Sequence, residues 1–386
     1  MRKQLTVVLG LAVLSTPAFA TKARLQALGE DIYGSFYVND NRNVFLNPAQ
    51  VINHKDLVTF EWGQNGATDS VTTPKAEGGI YKAGGNLVYG VHLGAANNFA
   101  NLFRSNTGLV NNGEENNIDL FVGGDTGLKW GVNVGYANTE KDETAADAEA
   151  KSLRTRLGVI MGDTQVYGNI NIVNEAEGVN AGAQSVEFEG KLGFGVGAIQ
   201  AWNGTSLFVD FKKLDAEGEV AGAGSEDMSL QQIQAGIARV TVLNDKTNLF
   251  TRASFVQTKA ENDLTGGAFA AVPGCNRFNP LACAEYDSMQ VPVVLGLEAE
   301  ATEWLTLRGS ITQVVWGSEE DATNERGIRN STGVNAGATL KFGELSVDGM
   351  IGNTAGAAPT STDTSGGSGT LRTDTLLTRV GVNYRF

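Results

Sequence analysis

A chain of 386 residues with 49 glycines, only 7 prolines and a formal charge of −14 has no basic footprint, which excludes nucleic-acid binding. Apolar residues make up 41%, and after the N-terminus no run is apolar enough to be a membrane helix. Heavy glycine with light proline disfavours a disordered chain and suits strands joined by tight turns.

The chain opens on Met1-Arg2-Lys3, an apolar run from Leu5 to Leu14, a break at Ser15-Thr16-Pro17, and the small-x-small site Ala18-Phe19-Ala20. This predicts a secretory signal peptide over 1–20, because the apolar run is half the ~20 residues of a spanning helix. The mature chain is then Thr21–Phe386, 366 residues, with a charge of −16 once Arg2 and Lys3 are gone. That acidity serves solubility in surface loops, with divalent cations bridging to lipid phosphates. Residues 21–56 form an N-terminal periplasmic or lumenal segment, in which "ARLQALGEDIY" is weakly amphipathic.

From 57 to 386 apolar residues recur every second position, the period of a strand with one face in lipid and the other in water. In "KWGVNVGY", Trp130, Val132, Val134 and Tyr136 share one face. In "SVEFEGKLGFGV", Val186, Phe188, Leu192, Phe194 and Val196 are expected to face out, with Glu187, Glu189 and Lys191 facing in. "VPVVLGLEAE" sets Val291, Val293, Leu295 and Leu297 against Glu298 and Glu300, and "GVNAGATLKF" sets Val334, Leu340 and Phe342 against Asn335, Thr339 and Lys341. The dyads are weakest over 226–261, where the faces mix.

Seven short turns, near Ala83–Gly85, Gly124–Thr126, Gly162–Asp163, Trp202–Gly204, Asn244–Lys246, Thr302–Trp304 and Phe342–Glu344, interleave with eight longer polar loops. The expectation is an all-β, transmembrane, antiparallel up-and-down barrel of 16 strands, with 14 and 18 as the alternatives. An even count puts both termini on the periplasmic, short-turn side. Cys275 and Cys283 share the loop near 261–284, and that spacing predicts a disulfide in an oxidising compartment, or less readily a metal pair.

The last strand, "LLTRVGVNYRF", places Leu376, Thr378, Val380, Val382, Tyr384 and Phe386 on one face. Here the chain resembles bacterial outer-membrane barrels, which implies a multi-pass protein of the outer membrane. Tyr384 and Phe386 are then the signal read by the barrel-assembly machinery, the simpler reading being an interfacial aromatic girdle. The segment "NDNRNVFLNPAQV" resembles the Asn-Pro-Ala segment ahead of strand one in outer-membrane transporters of long-chain fatty acids and aromatic hydrocarbons. Asn47, Pro48 and Ala49 match; Gln50 replaces that family's glycine, and 16 strands exceed its 14. That resemblance implies an N-terminal region folded into the lumen as a hatch.

Arg154, Arg156, Asp210, Lys212, Arg239, Arg308, Lys341, Asp348, Arg379 and Arg385 fall on inward dyad positions, beside the three charges at 187–191. Lipid exposure of a mid-strand Arg or Lys costs about 2–4 kcal/mol, which forces such groups inward. They set ion preference or merely hydrate the wall. His54 and His92 are the only histidines and neither has a nucleophile on its face, so no enzyme, cofactor or metal is expected. The apolar loop near 97–117, with Phe99, Leu102, Phe103 and Leu109, is a candidate plug beside residues 21–56. General porins constrict with a third loop bearing Pro-Glu-Phe-Gly-Gly; the loop near 140–149 lacks it. The expected function is a porin, passing ions and small hydrophilic solutes passively. The alternatives are a hydrophobic-substrate transporter with an N-terminal hatch, or a surface-binding barrel with a closed lumen. Expected partners are outer-membrane lipid and lipopolysaccharide, the assembly machinery, and two further copies in a trimer.

Overall fold

The computed structural model describes residues 21–65, 76–95, 104, 114, 116–141, 147–179, 184–222, 224–263, 280–322, 324–328, 331–353 and 377–386. The signal-peptide residues 1–20, the loop residues Phe99, Leu102, Phe103 and Leu109, and Cys275 lie outside them.

Alternating residues make the wall. Its strand segments are β1 (Leu57–Asn65), β2 (Ala76–Gly84), β3 (Leu87–Leu93), β4 (Asn116–Asp125), β5 (Lys129–Lys141) and β6 (Ala148–Met161). Then come β7 (Thr164–Val179), β8 (Ser185–Gly190), β9 (Gly193–Trp202), β10 (Thr205–Val220), β11 (Gly224–Asn244) and β12 (Thr247–Asn262). The last six are β13 (Glu285–Thr302), β14 (Leu305–Asp321), β15 (Asn324–Gly327), β16 (Gly333–Phe342), β17 (Leu345–Asn353) and β18 (Leu377–Arg385). All pairings are antiparallel, and β18 returns to β1 with Leu57 opposite Arg385 and Trp62 opposite Val380. Closure satisfies every edge, as a strand wall in lipid requires. The 18 segments make 16 wall strands. β8 and β9 are successive parts of one strand between β7 and β10, and β15 and β16 both run against β14.

Six of the seven short connections are two-residue turns of the expected kind, and the one between β4 and β5 has three residues. Between β9 and β10, Asn203 at φ 48° precedes Gly204 at φ 75°, the left-handed pair that matches strand twist. Phe60, Trp62, Leu157, Trp202, Leu295, Trp304, Phe342, Tyr384 and Phe386 are exposed on the outer face. The backbone N–H of Phe386 donates to the Asp56 carbonyl at 3.0 Å, and Lys82 Nζ lies 4.6 Å from its ring centroid, tying the chain end to the start of β1.

The wall is uneven in height. β1, β2 and β3 have 9, 9 and 7 residues, whereas β10 to β14 have 16 to 21. The tall side therefore rises well beyond the ~9–11 residues that span a bilayer.

Two corrections to the sequence reading follow from where residues stand along the wall, the first of them from that extra height. Gly190 lies opposite Ala216 and Phe194 opposite Lys213, so three residues face two, and this bulge inverts the dyad. Val186 and Phe188 consequently point in and are fully buried, while Glu187 and Glu189 point out. Outward carboxylates cost little there because that height is wet: Glu187 pairs across from Glu177, and Glu189 from Glu175. Lys191 also turns out, 2.5 Å from Asp227 Oδ1. Arg239 is the second correction. It shares the outer face with Ile237 near the short-turn end and donates to Thr205 Oγ1 at 2.8 Å, where a long side chain reaches interfacial water.

The lumen is filled from the N-terminal side. Residues 21–56 carry α1 (Lys22–Ala27) and two 3-10 turns, η1 (Asn41–Phe45) and η2 (Pro48–His54), all lodged inside the short-turn half of the barrel. Leu25, Leu28 and Val38 cluster with Phe250, and Val44, Phe45 and Val51 with Leu57, Tyr81, Val88 and Phe121. Phe36 stacks on Phe208 with ring centroids 4.2 Å apart. The Asn-Pro-Ala segment caps η2: Asn47 Oδ1 accepts from the Ala49 N–H at 3.0 Å. Two wall glycines make room for it. A Cβ on Gly131 would strike the Pro48 carbonyl, and one on Gly158 the Asn47 side chain. Gly131→Ala with Gly158→Ala should loosen this docking and leave the barrel intact. Amide hydrogen exchange at 47–54 is expected to rise at least tenfold while heat-modifiable migration is unchanged; unchanged exchange would show the sockets irrelevant.

At the loop end the inner face is apolar. Phe188, Leu214, Val220, Met228, Leu230 and Tyr286 form one buried cluster with Leu281 and Cys283. Leu281 comes from η3 (Pro280–Ala282) and Cys283 directly follows it; the Asn262 side chain anchors this turn through the Leu281 carbonyl at 2.7 Å.

Candidate functional site

Charges on the inner wall must be paired where the lumen is filled, and the N-terminal segment supplies the partners. Arg42 is almost fully buried, its Nη1 3.3 Å from Glu77 Oε2 and 3.6 Å from Glu61 Oε1, with the guanidinium 4.3 Å from the Phe45 ring centroid. The Lys22 N–H donates to Glu61 Oε2 at 2.6 Å, and its ammonium pairs with Glu77. His92, on β3, lies 3.4 Å from the same Glu77.

A second group lies further round the wall, on β13, β14 and β17. Arg24 Nε and Nη2 donate to the two oxygens of Glu298 at 3.0 and 3.3 Å. Arg308 bridges Glu298 and Asp348 at 2.5 and 3.2 Å, and the Thr21 hydroxyl donates to Asp348 at 3.2 Å. A third contact reverses the polarity, the segment's Glu30 accepting from wall Arg252 at 2.9 Å. Within the segment, burial pushes the Asp40 carboxyl up to about 7, although Arg24 opposes it. Burial, and then the Arg385 charge, hold the His54 imidazole down at about 4.

Above the segment lies a cavity of about 400 Å³. Its floor is Tyr33, Phe36, Phe45 and Leu46; its walls include Tyr167, Asn169, Asn171, Gln234 and Arg252. Of the residues singled out from sequence, Arg154, Arg156, Asp210 and Lys212 line it. Arg154 is held by Asp119 at 2.9 Å and Glu114 at 3.3 Å, and Arg156 by Asp119 at 3.1 Å. Glu114 and the buried Arg104, which with Gly94 and Ala95 are the described residues of the loop between β3 and β4, both sit inside the barrel.

A closed strand wall, apolar outside and ion-paired inside, decides the class. This is an outer-membrane β-barrel with an occupied lumen.

No family model matches the sequence, and no curated protein is significantly similar to it. Among solved structures, CdiB from Acinetobacter baumannii aligns over 86% of this chain and 60% of its own, at 11% identity and a TM-score of 0.43. The chain thus spans about 60% of that protein's length. A FadL homologue of Pseudomonas aeruginosa aligns over 95% and 98% of the two chains, at 11% identity and a TM-score of 0.40. The CymD monoaromatic hydrocarbon channel aligns over 96% and 99%, at 11% identity and a TM-score of 0.41. Likenesses this remote say nothing about activity.

The remaining sequence-selected residues divide clearly. Asp348 and Arg379 meet the N-terminal segment, Arg379 Nε donating to Gln26 Oε1 at 2.6 Å, and Arg308 reaches it through Glu298, which Arg24 also holds. Lys341 pairs with Glu300 at 3.1 Å on the same inner wall. Glu187, Glu189, Lys191 and Arg239 take no part in the lumen, and Tyr384 and Phe386 lie on the outer face. Sequence reasoning passed over Glu61, Glu77, Asp119 and Arg252. Glu61 had a usable signal, since it stands between Phe60 and Trp62, both about half exposed in the lipid-facing row.

Proposed function

We propose that the protein is a passive uptake channel for small apolar or amphipathic molecules, closed on its periplasmic side by residues 21–56 acting as a hatch. The observation that carries this reading is the hatch itself: an ion-paired, apolar-cored segment filling the lumen where a hydrophilic pore would need open water. The apolar inner face beneath the extracellular loops fits an entry route for molecules that leave water readily. No bond is made or broken, and no cofactor takes part. Signal cleavage after Ala20, a Cys275–Cys283 bridge bracing the η3 loop, recognition of Phe386 by the assembly machinery, and lipopolysaccharide or sister copies around the wall belong to the same proposal.

The second reading is a diffusion pore for hydrophilic solutes, favoured by the charged side chains lining the cavity. One pair of measurements separates the two. A strain carrying the chain in its outer membrane should take up a radiolabelled alkylbenzene several-fold faster than the same strain without it, with sugar permeation unchanged. The reverse pattern would replace the first reading by the second, and no change in either flux would leave a surface-binding barrel.

A further inference from the structure

The cavity above the hatch carries enough detail to name the class of molecule it takes, an inference that rests on the uptake reading above. Its cations are all engaged. Arg154, Arg156, Lys212 and Arg252 are held by Glu114, Asp119, Asp210 and Glu30. Asp31 also lines the space, so four cations stand against five carboxylates, a net charge of −1. A carboxylate ligand would enter a site with no cation to spare and would have to break a buried pair.

A plain hydrocarbon fits no better. The side-chain amides of Asn169 and Asn171 face the cavity from β7 and make no hydrogen bond among the described residues. Each is opposite a glycine of β9, Gly195 or Gly193, which leaves that side uncovered, and on the β6 side stands opposite Arg156 or Arg154, whose guanidiniums are held by Asp119 and Glu114. An apolar guest would strip both amides of water and return no hydrogen bond, whereas a hydroxyl or carbonyl would satisfy them. Opposite, Tyr33, Phe36 and Phe45 offer aromatic surface to a ring.

We infer that the cavity binds an uncharged, hydrogen-bonding aromatic molecule of the phenol type, its ring on Phe36 and Phe45 and its polar end on Asn169 and Asn171. The polar wall then selects what the apolar mouth admits.

Three probes that share one ring test this: 4-propylphenol, propylbenzene and 4-propylbenzoate. Isothermal titration calorimetry would use the full chain in nonionic detergent, with a matched micelle blank to subtract partitioning. The phenol is expected to bind at least about tenfold tighter than either of the others. Asn171→Leu should bring phenol and propylbenzene within about threefold, and Asn169→Leu is the second variant should the first fail to migrate as a folded barrel. A benzoate or hydrocarbon that binds as tightly as the phenol overturns the inference, as does a preference that survives both variants. Binding by none of the three overturns it too. The uptake reading is judged separately: a roughly tenfold weaker hold on an alkylbenzene still permits its passage, so the flux measured in cells does not depend on which probe binds most tightly.

Discussion

Deletion of residues 21–56 is expected to turn a silent barrel into one with large, stable conductance steps in a planar bilayer. The hatch contributes little to the ladder that closes the wall, since Leu57 is already paired to Arg385 and Tyr81 and, among the described residues, only the Phe386 N–H to Asp56 carbonyl bond is lost with it. The strand pairing from Leu57 onward is kept, and the barrel should remain heat-modifiable. A sixteen-strand wall is too wide for its own side chains to close, so removing the filling leaves an aqueous path through the short-turn half. The exposed wall would carry Glu61, Glu77, Glu298 and Asp348 against Arg252, Arg308 and Arg379, without the Lys22, Arg24 and Arg42 that now pair with those carboxylates. The reversal potential under a salt gradient should therefore show preference for cations. Persistent silence from a folded deletion variant would mean that the apolar cluster around Leu281 and Phe188 closes the opposite end by itself, and the hatch would lose its gating role.

Arg42→Met should have the second largest effect, and through one side chain. The substitution keeps volume and apolar stem while leaving Glu61 and Glu77 buried without the guanidinium that lies within 4 Å of both. Breaking one side of a buried ion pair costs about 3–5 kcal/mol, because the stranded charges must be hydrated or protonated. Charged to the docking equilibrium, that is a rise in the undocked hatch of roughly 10²-fold to several thousandfold. Hydrogen exchange over 22–54 should quicken accordingly, with brief channel openings in a bilayer. The double variant Arg42→Met with Glu77→Gln should recover part of the loss, since one stranded charge is gone. Wild-type exchange in the single variant would show that the hatch is held by its apolar clusters alone.

What could be read from the sequence alone is what alternation governs. Lys129 to Tyr136, Val291 to Glu300 and Val334 to Phe342 have the faces their dyads predict, because a lipid-facing row tolerates no error in period where the bilayer is thick. The turn count follows from the same physics: Asn-Gly and Gly-rich pairs such as Asn203-Gly204 close hairpins by local backbone conformation. The hatch was half legible. Asn47-Pro48-Ala49 and the amphipathic "ARLQALGEDIY" marked residues 21–56 as a segment apart, yet nothing local said which wall residues would receive it. Arg42 meets Glu61 and Glu77, and Arg24 meets Glu298, across separations in sequence that no periodicity spans. Tertiary structure alone decided the bulge after Gly190, since one extra residue inverts every later position while leaving composition untouched. It also decided where charge could face outward. The rule that drives charges into the lumen holds only at membrane depth, and Glu187, Glu189 and Lys191 stand above it. A sequence records alternation, but not the height at which each residue stands.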